Sequence, residues 1–297
     1  SRSSPKTSIW SSKFRLESGN IVVAHGRIHV GLRLAAECRG ERRTMDLWKY
    51  FAIGHEHHVF CNPVSEAKVD ELIGLLALPE GARVLDIACG KAEFLVRTVR
   101  RWKCRAVGVD ISPYFVADAR AKIEAAGLGS SIEIVEDDGS AYDGKPSSFD
   151  AAVCLGACWI WGGLEGTLRA LSSWAKTGGV VVVGVPFWRS APSSHHLEAA
   201  QLTASSFDTH LGNAQTGLGL GLGLLHSIVS SEDDWDRYEG CQWYAAEKYS
   251  IRNGSDPDVP ELMTKMRESR NHFLQWGRNE IGWAIYLFQK DPFELSG

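Results

Sequence analysis

A doubly wound α/β fold, with a mostly parallel sheet covered by helices, is what this sequence predicts, and three observations carry that expectation. Short aliphatic runs of strand length alternate with segments of helical period from residue 83 to residue 185. The first run, Arg83 to Ile87, leads through the small-residue turn Ala88-Cys89-Gly90-Lys91-Ala92 straight into a helix whose apolar positions are Phe94, Leu95, Val99 and Trp102. The second run, Arg105 to Asp110, ends in an acid about 20 residues beyond that turn, where a carboxylate can accept both hydroxyls of a ribose.

Composition narrows the class. The 297 residues are 44% hydrophobic and 23% charged, as in a soluble globular protein that forms one large domain or a domain with insertions. A net charge of −4 supplies no broad basic field, so nucleic acid is not the expected partner, although a local basic patch stays open. Seven scattered cysteines without a C-x-x-C fit a reducing compartment, and a cytoplasmic location is expected. The longest apolar run, Val180 to Trp188, is too short to cross a bilayer, so no membrane partner is expected.

Residues 1–44 hold nine arginines and lysines (Arg2, Lys6, Lys13, Arg15, Arg27, Arg33, Arg39, Arg42 and Arg43) against three glutamates, with many serines at the start. Such a basic leader is expected to be disordered or non-native, with Met45 as the natural start; the alternative is an organellar transit peptide. Residues 45–80 are expected to form N-terminal capping helices. His57, His58 and Cys61 have the side chains of metal ligands, but no second ligand cluster accompanies them, and no metal is expected. Asn62-Pro63-Val64-Ser65 reads as a turn and N-cap for a helix through Val69, Leu72, Ile73 and Leu76 that stops before Pro79.

The core is expected over residues 81–189. After the first two strands, Ser112 as N-cap and Pro113 at the first helical position open a helix that Gly127 closes. Ile132 to Val135 is the third strand, Phe149 to Cys154 the fourth and Gly179 to Val185 the fifth. Residues 190–297 are expected to complete the sheet, with strands at Leu224 to Ser230 and Ile281 to Phe288 and two helical insertions near 233–249 and 258–279. The Gly-Leu alternation from Gly217 to Leu225 reads as a flexible approach to the sixth strand.

The turn after the first strand carries the chemistry. Small residues let backbone N–H groups approach a ligand, and the helix that follows presents unpaired donors at the positive end of its dipole. Glu93 stands where a dinucleotide fingerprint wants its third glycine, which disfavours a pyrophosphate and hence a dehydrogenase. Asp86 through Ala92 resembles motif I of the class I S-adenosylmethionine-dependent methyltransferases, D-x-G-x-G-x-G, with Ala88 and Ala92 replacing glycines. Asn62-Pro63, Gly156-Ala157-Cys158-Trp159-Ile160, Pro186-Phe187-Trp188-Arg189, Trp235-Asp236-Arg237-Tyr238-Glu239 and Gly282-Trp283 extend the likeness over about residues 45–290, to a subgroup of uncharacterised bacterial methyltransferase-domain proteins. Relatives often carry an acid where this chain has Val185.

The resemblance implies a Rossmann-like, seven-stranded sheet with an antiparallel last strand, S-adenosylmethionine as methyl donor, and no metal. It implies that Asp86, Ala88, Cys89 and Gly90 hold the methionine end, Asp110 and Ile111 the ribose, and Asp138 with Gly139 the adenine, with Leu155 also at the donor. The helical insertion is the expected lid over a small-molecule acceptor. Glu239 is the first candidate base and His58 the second, with Tyr238 beside them, while Trp159, Trp188, Trp235 and Trp243 either wall the acceptor or belong to the core. The alternatives are a nucleic-acid methyltransferase and a donor-binding or interaction module without turnover.

Overall fold

A computed structural model describes residues 20–23, 26–29 and 45–290 of the chain. Of the expected leader, only a two-stranded antiparallel hairpin, β1 (Asn20–Val23) with β2 (Gly26–His29), is among them. The rest of that expectation lies outside the described residues.

Local signals place the first helices. Asp46 accepts the Trp48 N–H to open α1 (Leu47–Gly54), and Ser65 accepts the Lys68 N–H to open α2 (Glu66–Leu75), which buries Val69, Leu72 and Ile73. The core then alternates strictly: β3 (Arg83–Ile87), α3 (Glu93–Trp102), β4 (Arg105–Asp110), α4 (Pro113–Ala125), β5 (Ile132–Glu136), β6 (Phe149–Leu155), α5 (Leu164–Trp174) and β7 (Ala175–Trp188). Between β5 and β6 the connection holds a single 3₁₀ turn, Gly139–Ala141, where every other crossover of the core holds a helix.

The C-terminal part adds α6 (Ser194–Ala200), α7 (His210–Gly219), β8 (Leu222–Val229), α8 (Glu232–Arg252), α9 (Val259–His272) and β9 (Ile281–Lys290). Helix α9 runs on through a π turn, Phe273–Gly277, and a last helical stretch, Arg278–Glu280. The seven strands lie in the order β5-β4-β3-β6-β7-β9-β8. All pairings from β5 to β7 are parallel, and β9 is antiparallel to both β7 and β8, as the seven-stranded expectation requires.

Two stretches differ from the sequence reading. The fifth strand is longer than Gly179 to Val185 because β9 pairs with it as far as Trp188↔Ile281. The Gly-Leu alternation is not a flexible approach: Gly217, Leu218 and Gly219 finish α7, and a Cβ at Gly217 would overlap the Phe288 ring. Glycine there lets the helix end lie flat on β9.

Alternating side chains along each strand feed two cores. Val84, Val180, Val182, Ile285 and Leu287 face the side covered by α2, α3 and α4, while Leu85, Ile87, Val181, Val183, Tyr286 and Phe288 face the side of α5 and α7. A third cluster joins Met45, Tyr50 and Ile53 to Ala246, Leu262, Met263 and Met266, so α1 is fastened to α8 and α9. Lys49 reinforces that contact through Asp256 at 2.7 Å and Asp258 at 2.6 Å. No helix among the described residues is long and apolar enough to cross a membrane.

At Gly184 on β7, a Cβ would occupy the space of the Trp283 ring and stand 3.3 Å from Leu155. Gly184→Ala must therefore displace a tryptophan that is 3% exposed, and should destabilise the protein by about 1–3 kcal/mol, visible as a Tm lower by roughly 2–10 °C in a thermal melt.

Candidate functional site

The turn leaving β3 takes left-handed backbone at alternate residues, with φ of 60° at Ala88, 54° at Gly90 and 57° at Ala92. These are the three glycine positions of the motif, and the two alanines keep its conformation at a cost of about 1–2 kcal/mol each. The turn is held by its own amides: Cys89 N–H donates to the Val109 carbonyl at 3.0 Å and Ala92 N–H to the Cys89 carbonyl at 3.0 Å. Ala92 occupies the N-cap of α3 and offers no side-chain acceptor, so the amides of the first helical turn face the site without a side-chain cap.

Two buried carboxylates flank the turn. Asp110 accepts the Gly90 N–H at 2.8 Å through one oxygen and the Ser112 N–H at 2.9 Å through the other. Burial nevertheless raises its pKa, against the downward pull of those amides. Asp86 is 3% exposed and receives no hydrogen bond or ion pair from a described residue. Its pKa is pushed well above the usual carboxylate range by desolvation first and by Asp110 second. Gly108, paired with Asp86 across β3 and β4, has no room for a side chain, because a Cβ would stand 2.8 Å from Cys89 and from Leu95.

The segment after α1 closes over this turn. Lys91 donates its ammonium to the carbonyls of His55 at 2.5 Å, Glu56 at 3.3 Å and His58 at 3.4 Å, which caps the end of α1 from inside the motif. Cys61 Sγ lies where a Gly90 Cβ would stand 3.7 Å away, and the Asn62 amide fills the space a Cβ would need at Gly156, whose φ is 86°. Burial lifts the Cys61 thiol to about 12. Both glycine-dependent turns at the carboxyl edge are thus covered by consecutive residues.

Behind that segment His55, His58 and Tyr238 form a ring cluster, with centroids 4.9 Å apart for the two imidazoles and 5.0 Å apart for His58 and Tyr238. His55 Nδ1–H donates to the Phe51 carbonyl at 2.8 Å, so its Nε2 accepts from the Tyr238 hydroxyl at 3.0 Å. His58 Nε2–H donates to the Tyr238 carbonyl at 2.9 Å, which leaves Nδ1 as a bare acceptor, closed off from solvent and without a hydrogen bond. Desolvation lowers His55 to about 3 and His58 to about 4, so both are neutral at pH 7.

The adenine candidates lie at the next strand end. Asp138 caps the 3₁₀ turn by accepting from Ser140, and Gly139 packs so tightly on Ile87 and Ile160 that any side chain would collide. Ile111 is 39% exposed on the lip beside Asp110, and Leu155 ends β6 next to Gly184. Trp159 sits in the 3₁₀ turn Cys158–Trp161 against the second core.

The other aromatic candidates are core-facing. Trp188 is four residues beyond Gly184 and donates its indole N–H to the Ala204 carbonyl at 2.8 Å. Trp235 is 1% exposed and stacks on Phe273, while Trp243, also against Phe273, has an indole nitrogen closed off without a hydrogen bond. Glu239 is buried and accepts from Gln242 at 3.4 Å. His55 is absent from the sequence reading, and Lys91, Cys61, Asn62 and Ile160 appear in it without the roles found here, since each contact runs across many residues. His57, His58 and Cys61 do not converge, and no group of three or more potential ligands among the described residues could hold a metal ion.

The chain is similar to known methyltransferase-domain proteins. Residues 84–179 match the family described as methyltransferase domain. The chain is 28% identical over 244 residues to the uncharacterised protein YjhP of Escherichia coli, a match covering 82% of this chain and 98% of that one. A S-adenosylmethionine-dependent methyltransferase from Thiobacillus denitrificans, solved with S-adenosylhomocysteine, superposes with a TM-score of 0.75 at 29% identity, over 82% of this chain and 99% of that one. One from Geobacter sulfurreducens, also solved with S-adenosylhomocysteine, gives 0.76 at 26% identity, over 81% and 97%.

The neutral His55 makes acid stability testable. Below about pH 6.5 the unfolded chain protonates this imidazole and the folded protein does not, so stability falls as the pH drops toward 4. Asp86 and Asp110 act in the opposite sense, because their raised values let the folded state take up protons first. Comparing wild type with His55→Gln isolates the imidazole: denaturant unfolding should show their stability difference shrinking by about 2 kcal/mol between pH 7 and pH 5. A difference independent of pH would mean that His55 is not held neutral.

Proposed function

We propose that the chain, which is similar to S-adenosylmethionine-dependent methyltransferases of class I, binds S-adenosylmethionine along the carboxyl edge of β3, β4 and β5 and methylates a small-molecule acceptor under α8. The observation that carries this reading is the buried Asp86 carboxylate, which lacks a partner among the described residues and stands beside the uncapped amides of α3. An ammonium and a carboxylate on one carbon, as at the methionine end of the donor, satisfy both at once. The solved relatives with S-adenosylhomocysteine support the same ligand.

On this reading Asp86, Cys89 and Gly90 take the methionine end, with Ala88 shaping the turn. Asp110 uses its remaining lone pairs for the ribose and Ile111 closes over it, while Asp138 and Gly139, with Ile160 opposite, receive the adenine. The donor supplies an activated methyl group on a sulfonium. The protein's share is to align the acceptor, exclude water and take a proton where the acceptor carries one.

His58 fits the proton acceptor better than Glu239. Its Nε2–H is committed to the Tyr238 carbonyl, so Nδ1 is free to accept, whereas the Glu239 carboxylate is already occupied by Gln242. Tyr238 acts by holding both histidines. Trp159 is the aromatic candidate left for an acceptor wall, and Trp188, Trp235 and Trp243 support the site from the core. The small-molecule class rests on the net charge of −4 and the aromatic surroundings.

Calorimetric titration with S-adenosylmethionine tests the donor directly. Micromolar binding is expected for the wild type, and Asp86→Asn should weaken it by about 10–100-fold, the worth of a charge-assisted hydrogen bond. Unaltered affinity in Asp86→Asn would remove Asp86 from the site. With an acceptor in hand, His58→Gln should lower kcat by about 100-fold or more while donor affinity stays within about twofold. Unchanged turnover in His58→Gln with loss in Glu239→Gln would return the base to Glu239.

A further inference from the structure

The opposite edge of the sheet holds a second feature that donor binding does not use. Because the β5–β6 connection carries a 3₁₀ turn in place of a helix, the face of β3, β4 and β5 away from α3 and α4 is left uncovered near its amino edge. A cleft of about 530 Å³ opens there, within the range of small-ligand pockets.

Arg83 and Arg105 line it as register partners on adjacent parallel strands, and Ser131 stands in line with them just before β5. Like charges directly opposite one another are unfavourable in a sheet unless a counter-charge lies between them. Neither guanidinium forms an ion pair with a described residue. Asp150, which accepts the Arg83 backbone N–H, gives both carboxylate oxygens to Lys176 at 2.8 Å. The Arg83 guanidinium instead lies over the Phe149 ring, 4.7 Å from its centroid, which limits its freedom.

We propose that this cleft is a second binding site, for a small phosphate ester whose phosphate is forked by Arg83 and Arg105. Neighbouring strands bring the two arginines close enough for both to reach one phosphate, each on different oxygens, and the Ser131 hydroxyl adds a neutral donor. Glu133 lines the same cleft and selects the rest of the ligand: beside its phosphate the ester must offer a hydroxyl or amine hydrogen. A bare polyanion meets Glu133 as a repulsive neighbour, which is why a compact ester suits the cleft better than a polynucleotide.

The test uses the full chain with glycerol 3-phosphate and, separately, inorganic pyrophosphate, titrated by calorimetry at about 0.15 M salt, where nonspecific attraction to exposed cations is screened. Saturable binding of glycerol 3-phosphate is expected, weakened about tenfold or more by Arg105→Gln or Arg83→Gln, each exposed enough to leave the fold intact. Glu133→Gln should tighten pyrophosphate by several-fold and leave S-adenosylmethionine titration unchanged, which separates this site from the donor reading. Absence of saturable binding to either probe overturns the proposal, as does binding that survives both arginine substitutions. Preference for a short RNA over both probes would overturn it in favour of a polynucleotide surface.

Discussion

Asp110 takes the Gly90 amide on one carboxylate oxygen and the Ser112 amide on the other, and the carboxyl edge of the sheet is arranged around those two bonds. They tie the turn after β3 to the start of α4 through a single buried side chain. The left-handed residues of the turn then have somewhere to point, and the conformational cost at Ala88 and Ala92 is offset by amides that find acceptors at Val109, Cys89 and Asp110. Asp86, on the neighbouring strand in register with Gly108, is left without such help from the described residues. A buried carboxylate in that state weakens the empty protein and favours whatever cation neutralises it.

The same turn also positions the N-terminal segment. Lys91 reaches out of it to three carbonyls at the end of α1, and α1 is packed on α8 and α9 by the cluster around Tyr50, Ile53 and Leu262. His55 and His58 hang from that segment and are oriented by Tyr238 of α8. The turn after β3, the segment that covers it and the helical insertion therefore form one connected set of contacts, through which a change at the turn can be felt at α8.

Much of the fold is legible because its signals are local. Ser65, Ser112 and Pro113 announce their helices within three residues, and the aliphatic runs at Val84, Val107, Val153 and Val182 are of strand length. Asp86 and Asp110 are legible as a pair because parallel strands in adjacent register bring their ends together. What covers the site is not legible: Asn62 meeting Gly156, Cys61 above Gly90 and Lys91 beneath His55 are contacts across the fold. The Gly-Leu stretch misleads for a related reason. Its composition suggests looseness, but Gly217 is glycine because Phe288, seventy-one residues later, needs the space.

The position of β9 bears on how such a chain is made. It is the last strand in sequence among the described residues, yet it lies between β7 and β8, so β8 has no partner, and β7 none on its outer flank, until β9 arrives. While the polypeptide is still emerging from the ribosome, the long valine-rich strand β7 has an unprotected flank and β8 has nothing to pair with. Closing the sheet thus waits for β9, and during that delay the nascent chain depends on chaperones or on speed to avoid sticking to its neighbours.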